Sequence, residues 1–188
     1  PQDIIPMALA HLGLDPGTTN KEDYDKAGEM LAQIRPYIKT FDNYAYGRMP
    51  EKEFCVSVTW GPDGLLAMAG AAEANTGVVL DFFLPAGAGK ANLWIDGWLI
   101  PADAENVEDA HLFLNYMMRA EVGAADSNYT WYATANLVGK PLVVEEVTSS
   151  PAAFPTSDQI DHMYTNASLP PKAQRMQTRT WTDFKAGN

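Results

Sequence analysis

The feature that most constrains this chain is a repeated switch between two hydrophobic periods. In residues 21–34, Tyr24, Ala27, Met30, Leu31 and Ile34 recur at helical intervals until Arg35-Pro36 stops the pattern. Residues 54–59 alternate instead, with Phe54, Val56 and Val58 on one parity and Cys55, Ser57 and Thr59 on the other, which is the period of a strand. Trp60-Gly61-Pro62-Asp63-Gly64 then reads as a turn, residues 65–74 as a small-residue helix ended by Asn75-Thr76-Gly77, and residues 78–84 as another strand. Residues 92–100 are strand-like around Asp96-Gly97, and residues 106–119 are helical, with Ala110, Phe113, Leu114, Met117 and Met118 on one side. Such alternation predicts an α/β fold in which 54–59, 78–84 and 92–95 share a sheet and helices 21–34 and 65–74 pack on it. A short helix over 4–12, with Asp3 as its cap and Gly13 as its end, precedes these elements. The Pro-, Ser- and Thr-rich last quarter reads as loops joining short helices, the last over 171–186.

With 46% hydrophobic residues among 188, the chain can bury a core, and nothing in it reads as low-complexity or repetitive. Its formal net charge of −11 argues against nucleic-acid or anionic-membrane partners, which need basic patches, and suits a cationic ligand or plain solubility equally. The single cysteine, Cys55, excludes an internal disulfide and is expected to be a small core residue within its apolar run. No stretch approaches the ~20 apolar residues of a membrane span. Without an initiator Met or a signal-like opening, the sequence is expected to start at an element boundary inside something longer.

Common catalytic patterns fail on inspection. Gly87-Ala88-Gly89-Lys90 lacks the upstream Gly, the following Ser or Thr and the following helix of a phosphate loop. His11, His111 and His162 are scattered, with no metal-ligand spacing and no nucleophile elbow. The expectation is therefore a protein that is not an enzyme and carries no cofactor or metal.

What remains is acidic and aromatic. Asp63 lies three residues after Trp60, and Asp96 two after Trp94, each pair near an expected strand end, where ligand crevices form in α/β sheets. A carboxylate accepts charge-assisted hydrogen bonds from an ammonium, and an indole face covers the neighbouring methylenes or stabilises the cation by roughly 0.5 to 2 kcal/mol. Spacing alone favours Trp60 and Trp94 as core residues and the aspartates as turn or cap residues.

A resemblance adds to this reading. The segment Asp3-Ile4-Ile5-Pro6-Met7-Ala8-Leu9-Ala10-His11-Leu12-Gly13-Leu14 resembles the opening of the second lobe in periplasmic spermidine- and putrescine-binding proteins. Further likeness lies in Cys55-Val56-Ser57-Val58-Thr59-Trp60, in the run from Leu93-Trp94-Ile95-Asp96 to Ala104, in Phe113-Leu114-Asn115-Tyr116, in Trp131-Tyr132-Ala133-Thr134 and in Arg179-Thr180-Trp181-Thr182-Asp183-Phe184-Lys185. The putrescine branch is the most similar.

This resemblance implies the C-terminal lobe of a type II periplasmic binding protein, an α/β clamshell that closes on a small cationic polyamine and is read by an ABC permease in the membrane. It implies that Trp60 is an aromatic wall, Asp63 and Asp96 bind amines, Trp94 stacks on the methylene chain, Tyr132 is a pocket tyrosine and Asp3 replaces a Glu near the hinge. It further implies a lobe core over 1–97, a segment 98–139 packed on the other lobe or covered by a second copy of the chain, and a return segment over 140–188. Asp3 is one methylene shorter than the family's Glu. Trp94 stands where the putrescine branch has Phe and the spermidine branch Trp, while Trp60 with Asp63 follows the putrescine branch, so the implied specificity is mixed. The family's first-lobe pocket residues have no counterpart here. A receptor or sensor of this fold for another small cationic solute is the alternative; an amino-acid receptor needs an Arg for the carboxylate, and the candidate residues here are acids and aromatics.

Overall fold

The computed structural model describes residues 1–85 and 91–187, and within them the architecture is helical. In chain order the helices are α1 (Ile4–His11), α2 (Lys21–Ile34), α3 (Gly61–Ala74), α4 (Val107–Met117), α5 (Ala120–Thr130), α6 (Glu145–Thr148), α7 (Ser157–Asp161) and α8 (Pro171–Ala186). Short 3-10 turns occupy Arg35–Tyr37, Ala45–Glu51 and Lys140–Leu142. No described helix is long and apolar enough to cross a membrane.

The chain divides into two units. The first comprises Pro1–Asn43, Phe83–Trp94 and Ser157–Asn188, and the second Tyr44–Phe82 and Ile95–Thr156.

In the first unit, the helical period of 21–34 produces α2 with the expected bounds. Asn20 caps it by accepting the Glu22 N–H at 3.1 Å, and Glu22 and Asp23 in the first turn oppose the positive end of the helix. Tyr24, Ala27 and Leu31 form its buried stripe and meet Ile5, Ala8 and Leu9 of α1 and Phe184 of α8. Tyr24 is 1% exposed, yet its hydroxyl donates to the Thr18 carbonyl at 2.9 Å, so the ring is buried without stranding a polar atom. Arg35 follows α2 and donates to the Lys185 carbonyl at 2.9 and 3.2 Å, satisfying a carbonyl in the last turn of α8. Its guanidinium also lies over Phe41, which meets Trp181 and Phe184 edge-on at 5.5 and 5.4 Å. Asp3 holds the expected cap position of α1, but its side chain makes no capping bond.

In the second unit, α3 starts four residues earlier than the sequence predicts. Pro62 needs no backbone hydrogen bond in a first turn and its ring pre-sets the helical φ, so the Gly-Pro-Asp-Gly sequence opens the helix instead of preceding it. Close contact fixes that opening. A β-carbon on Gly61 would overlap the Ala152 carbonyl, and one on Gly64 would stand 2.8 Å from the Phe82 ring. Below this seat, Leu65, Ala124, Val143, Val147 and Ala153 form the buried cluster, joined by Met68, Trp131 and Phe154.

The expected sheet does not form among the described residues. The segments 54–59, 78–84 and 92–95 form no strand, with a bend at Cys55, and the one bridge recorded pairs Asn92 with Tyr164 in parallel, through Leu93 N–H to Tyr164 C=O at 2.7 Å and Tyr164 N–H to Ala91 C=O at 3.1 Å. Period-two alternation specifies an extended backbone but not the neighbour that completes a ladder. Burial differs too: Val56 is 77% exposed, Val58 and Val79 are exposed, and Cys55 is an exposed thiol instead of a core residue. Consequently α2 packs on α1 and α8, and α3 on the turn Ala45–Glu51, where a sheet was expected beneath both. The predicted helix over 106–119 ends at Met117. Arg119 takes an extended conformation and α5 begins, a second helix that the apolar spacing did not reveal. The Gly87-Lys90 loop lies outside the described residues.

Substituting Gly61→Ala is expected to destabilise the protein by roughly 1 to 3 kcal/mol, because the backbone of α3 must leave Ala152. Gly47→Ala, where a β-carbon meets nothing within 4 Å, is expected to stay within about 0.5 kcal/mol of the parent. Urea denaturation of both variants checks the pair, and equal midpoints would remove the seat from the account.

Candidate functional site: an acid and aromatic cluster

The start of α3 puts an acid and an indole side by side. Trp60 is the extended residue before the helix and is 38% exposed, while Asp63 is the third residue of the first turn and only 8% exposed. The sequence thus buries a carboxylate at the helix end where backbone N–H groups favour negative charge. Burial still dominates: it pushes the Asp63 pKa up, and the Thr59 hydroxyl, close by but short of full hydrogen-bond geometry, only partly opposes the rise.

Tyr132 reaches the same region from the other end of the unit. Trp131 adopts a left-handed conformation with φ 65° and closes α5 through its N–H to Ser127 C=O at 2.8 Å. The Ser127 hydroxyl donates to the Tyr132 carbonyl, and Thr130 Oγ1 accepts the Tyr132 N–H at 3.3 Å. Further along, Asn136 donates to the Met118 carbonyl at 2.7 Å and accepts from Val138 and Gly139, tying the loop to the α4–α5 junction. The Tyr132 phenol is pushed up to about 12 by burial first, then by the charges of Asp63 and Asp96 and by Tyr46. Tyr46 is raised as well, by burial and then by Asp63 and Tyr44.

Those couplings bring Asp63, Asp96 and Tyr132 together in the second unit, with Asp96 the exposed carboxylate and Asp63 the buried one, and Trp60 stands three residues before Asp63 at the start of α3. Tyr46, on the turn Ala45–Glu51 against α3, completes the group and was missed from sequence. Its one signal is the aromatic pair Tyr44-x-Tyr46, which carries no spacing relation to Asp63. Asp3 and Trp94 belong to the first unit, where Trp94 is 44% exposed and Asp3 Oδ1 is buried.

Chemically, two carboxylates and three aromatic rings offer negative charge and apolar faces together, the kind of surface that suits an organic cation. Both phenols remain protonated at neutral pH and act as neutral donors or acceptors. Tyr132 also lines a concavity of about 420 Å³ with Trp98, His111, Leu114, Met117 and Asp126 beside α4. Among the described residues no group of three or more His, Cys, Asp or Glu has the arrangement of a metal centre.

No family model matches the chain. It is 35% identical over 189 aligned residues to the putrescine-binding periplasmic protein PotF of Escherichia coli, covering 100% of this chain and 50% of that protein. It is 34% identical, with 51% of the relative covered, to the putrescine-binding periplasmic protein SpuD of Pseudomonas aeruginosa. The chain spans about half the length of the curated relatives it matches. Among solved structures, a putative spermidine/putrescine ABC transporter protein from Listeria monocytogenes superposes with a TM-score of 0.87 at 24% identity, covering 100% of this chain and 56% of that one. The substrate-binding protein PotD of Streptococcus pneumoniae gives 0.78 at 21%, with 99% and 55% covered. The fold is therefore that of one half of such proteins.

A raised carboxyl pKa means that the folded state holds its proton above the unfolded value of 3.8, so stability falls as pH rises from 3.8 through the folded pKa. Asp63→Asn is accordingly expected to gain stability relative to the parent over that window and to keep the gain at neutral pH. Urea midpoints of both proteins across an acid-to-neutral pH series check this. A variant that loses stability relative to the parent as pH rises would reverse the sign and the reading of Asp63 as a burdened carboxylate.

Proposed function

We propose that this chain, which belongs to the periplasmic polyamine-binding proteins over the half of them that it matches, is part of a solute receptor that captures a putrescine- or spermidine-type amine. The observation that carries this reading is the buried carboxylate of Asp63 beside Trp60, Asp96, Tyr46 and Tyr132. Water has been removed from Asp63 without a cation taking its place among these residues. An arriving ammonium donates to Asp63 and Asp96, lowers the energy of the desolvated charge and displaces little further water. The Trp60 indole and the two phenols cover the adjoining methylenes, each worth up to ~0.8 kcal/mol when buried. In the first unit, Asp3 takes an amine and Trp94 supplies a broad face for an alkyl chain, which favours the longer polyamine.

The segment 98–139 is the part that packs on a companion lobe or on a second copy of the chain. Support comes from α4, which has no buried residue and exposes Leu112, Phe113 and Tyr116, with Met118 exposed just past its end. The assembled receptor acts in the periplasm and delivers its ligand to an ABC permease. It has no catalytic role, and a chain of net charge −11 has no affinity for nucleic acid.

In the full-length receptor, Asp63→Asn and Asp96→Asn are each expected to weaken putrescine or spermidine binding by roughly 2 to 5 kcal/mol while the fold survives. Trp94→Ala is expected to weaken binding too, and Trp94→Phe to do so less and mainly for spermidine. Calorimetry and melting curves on the four variants decide the matter. Unaltered affinity in both aspartate variants would end the polyamine reading of this cluster.

A further inference from the structure

The first unit holds a second polar group that the acid and aromatic cluster does not use. Asp3 precedes α1 but leaves the helix N–H groups uncapped, and its Oδ1 is buried without a hydrogen-bond partner. Tyr164 lies within electrostatic reach of it. Burial and then the Asp3 charge push the Tyr164 phenol up to about 12, and the hydroxyl is another buried atom with no partner.

Two asparagines complete the group. Asn92 pairs with Tyr164 in the parallel bridge, and both its side-chain Oδ1 and Nδ2 are buried and unpartnered. Asn166 donates from Nδ2 to the Gln2 carbonyl at 3.0 Å, beside Asp3, which fixes its amide and leaves Oδ1 as a buried acceptor without a donor. Five of the six unpartnered buried side-chain atoms recorded among the described residues therefore fall on four residues of one unit, linked by the Asn92–Tyr164 bridge, the Asn166–Gln2 bond next to Asp3 and the Asp3 charge felt by Tyr164. Native proteins pair nearly all such atoms, so a concentration of them marks a place where something else supplies the partner.

The balance of donors and acceptors identifies that partner. The unpartnered atoms comprise four oxygens, one each on Asp3, Asn92, Tyr164 and Asn166, against one amide NH2, that of Asn92, and the phenolic hydrogen of Tyr164. The carboxylate repels anions. A primary ammonium brings three N–H donors, a positive charge and no acceptor, which is the complement of this set.

We propose that Asn92, Tyr164 and Asn166 join Asp3 in a cradle for a primary ammonium group. The choice of an amine rests on the polyamine reading, and the added residues are specificity determinants: they count N–H donors, where Asp3 alone would accept any cation. The cradle also answers the shortness of Asp3. Where one methylene less limits reach, the carboxamide oxygens of Asn92 and Asn166, the latter fixed through its Nδ2, and a phenol take part of the coordination.

Methylammonium chloride titrated into the full-length protein at neutral pH tests this, with the side-chain amide resonances of Asn92 and Asn166 followed by 1H–15N NMR. Both pairs are expected to shift and saturate with methylammonium. They should stay still with tetramethylammonium, which has the charge but no N–H, and with calcium or sodium chloride. Tyr164→Phe, the change least damaging to the fold, is expected to raise the apparent dissociation constant by roughly threefold to tenfold, and Asp3→Asn by more than about tenfold, since the charged acceptor contributes most. Equal shifts from methylammonium and tetramethylammonium, a response to calcium alone, no saturable shift, or unchanged affinity in both variants would each overturn the cradle. Putrescine calorimetry on Asp63→Asn reads the other cluster. An intact amide response beside unchanged Asp63→Asn calorimetry therefore removes the Asp63 site and keeps the cradle, and the opposite pair of results does the reverse.

Discussion

The seating of Gly61 against the Ala152 carbonyl is the contact on which the second unit's chemistry depends. It lets α3 begin at the Gly-Pro step and so sets the register of the first helical turn. Within that turn Asp63 is carried inward, to 8% exposure, where a loop aspartate would have turned to water. The helix N-terminus makes the burial tolerable, because its unpaired N–H groups lower the energy of a nearby anion. It does not make the burial free, since the Asp63 pKa still rises. A site with that remainder of unsatisfied charge binds a cation with less loss than a fully hydrated carboxylate would, as part of the desolvation has been met during folding.

Aromatic groups set the selectivity of such a site. The backbone at Tyr132 is held by the Ser127 hydroxyl, the Thr130 hydroxyl and the left-handed turn at Trp131, which fixes the point from which its ring projects. A metal ion would want more oxygen ligands than two carboxylates and two protonated phenols offer. An organic cation with an alkyl chain would use both kinds of surface at once, its charged end suited to the acids and its methylenes to the indole and phenol faces.

Much of this was legible in the residues themselves, for reasons that differ by element. Helix α2 was readable to its ends because Asn20, the apolar stripe and Arg35-Pro36 all act within a few residues of one another. Helix α8 was readable in the same way from its proline start. The start of α3 was not, because Gly-Pro-Asp-Gly suits both a turn and a first helical turn, and the choice is made by Ala152, far along the sequence. The strands failed for a related reason: alternation in 54–59 reports a local backbone preference, whereas a ladder depends on a neighbour that the pattern does not contain. Among the site residues, the pairing of Trp60 with Asp63 is local and was visible. Their meeting with Tyr132 rested on the family resemblance, and Tyr46 enters only through the packing of its 3-10 turn on α3.

The same distinction between local and long-range causes bears on α4. Eleven residues make a helix that is marginal by itself in water, and this one has no buried residue. Inside the unit its support comes from Trp98, edge-on to Phe113 at 5.3 Å, and from the turn into α5 that Asn136 ties to Met118. Those contacts leave Leu112, Phe113 and Tyr116 exposed on a helix whose acidic first turn, Glu108 and Asp109, is already suited to its dipole, and Met118 exposed just past its end. Local propensity and capping therefore account for the helix being formed, but not for its carrying so much apolar surface. That surface is accounted for if α4 is built to be covered, which is the physical content of assigning residues 98–139 to an interface beyond this unit.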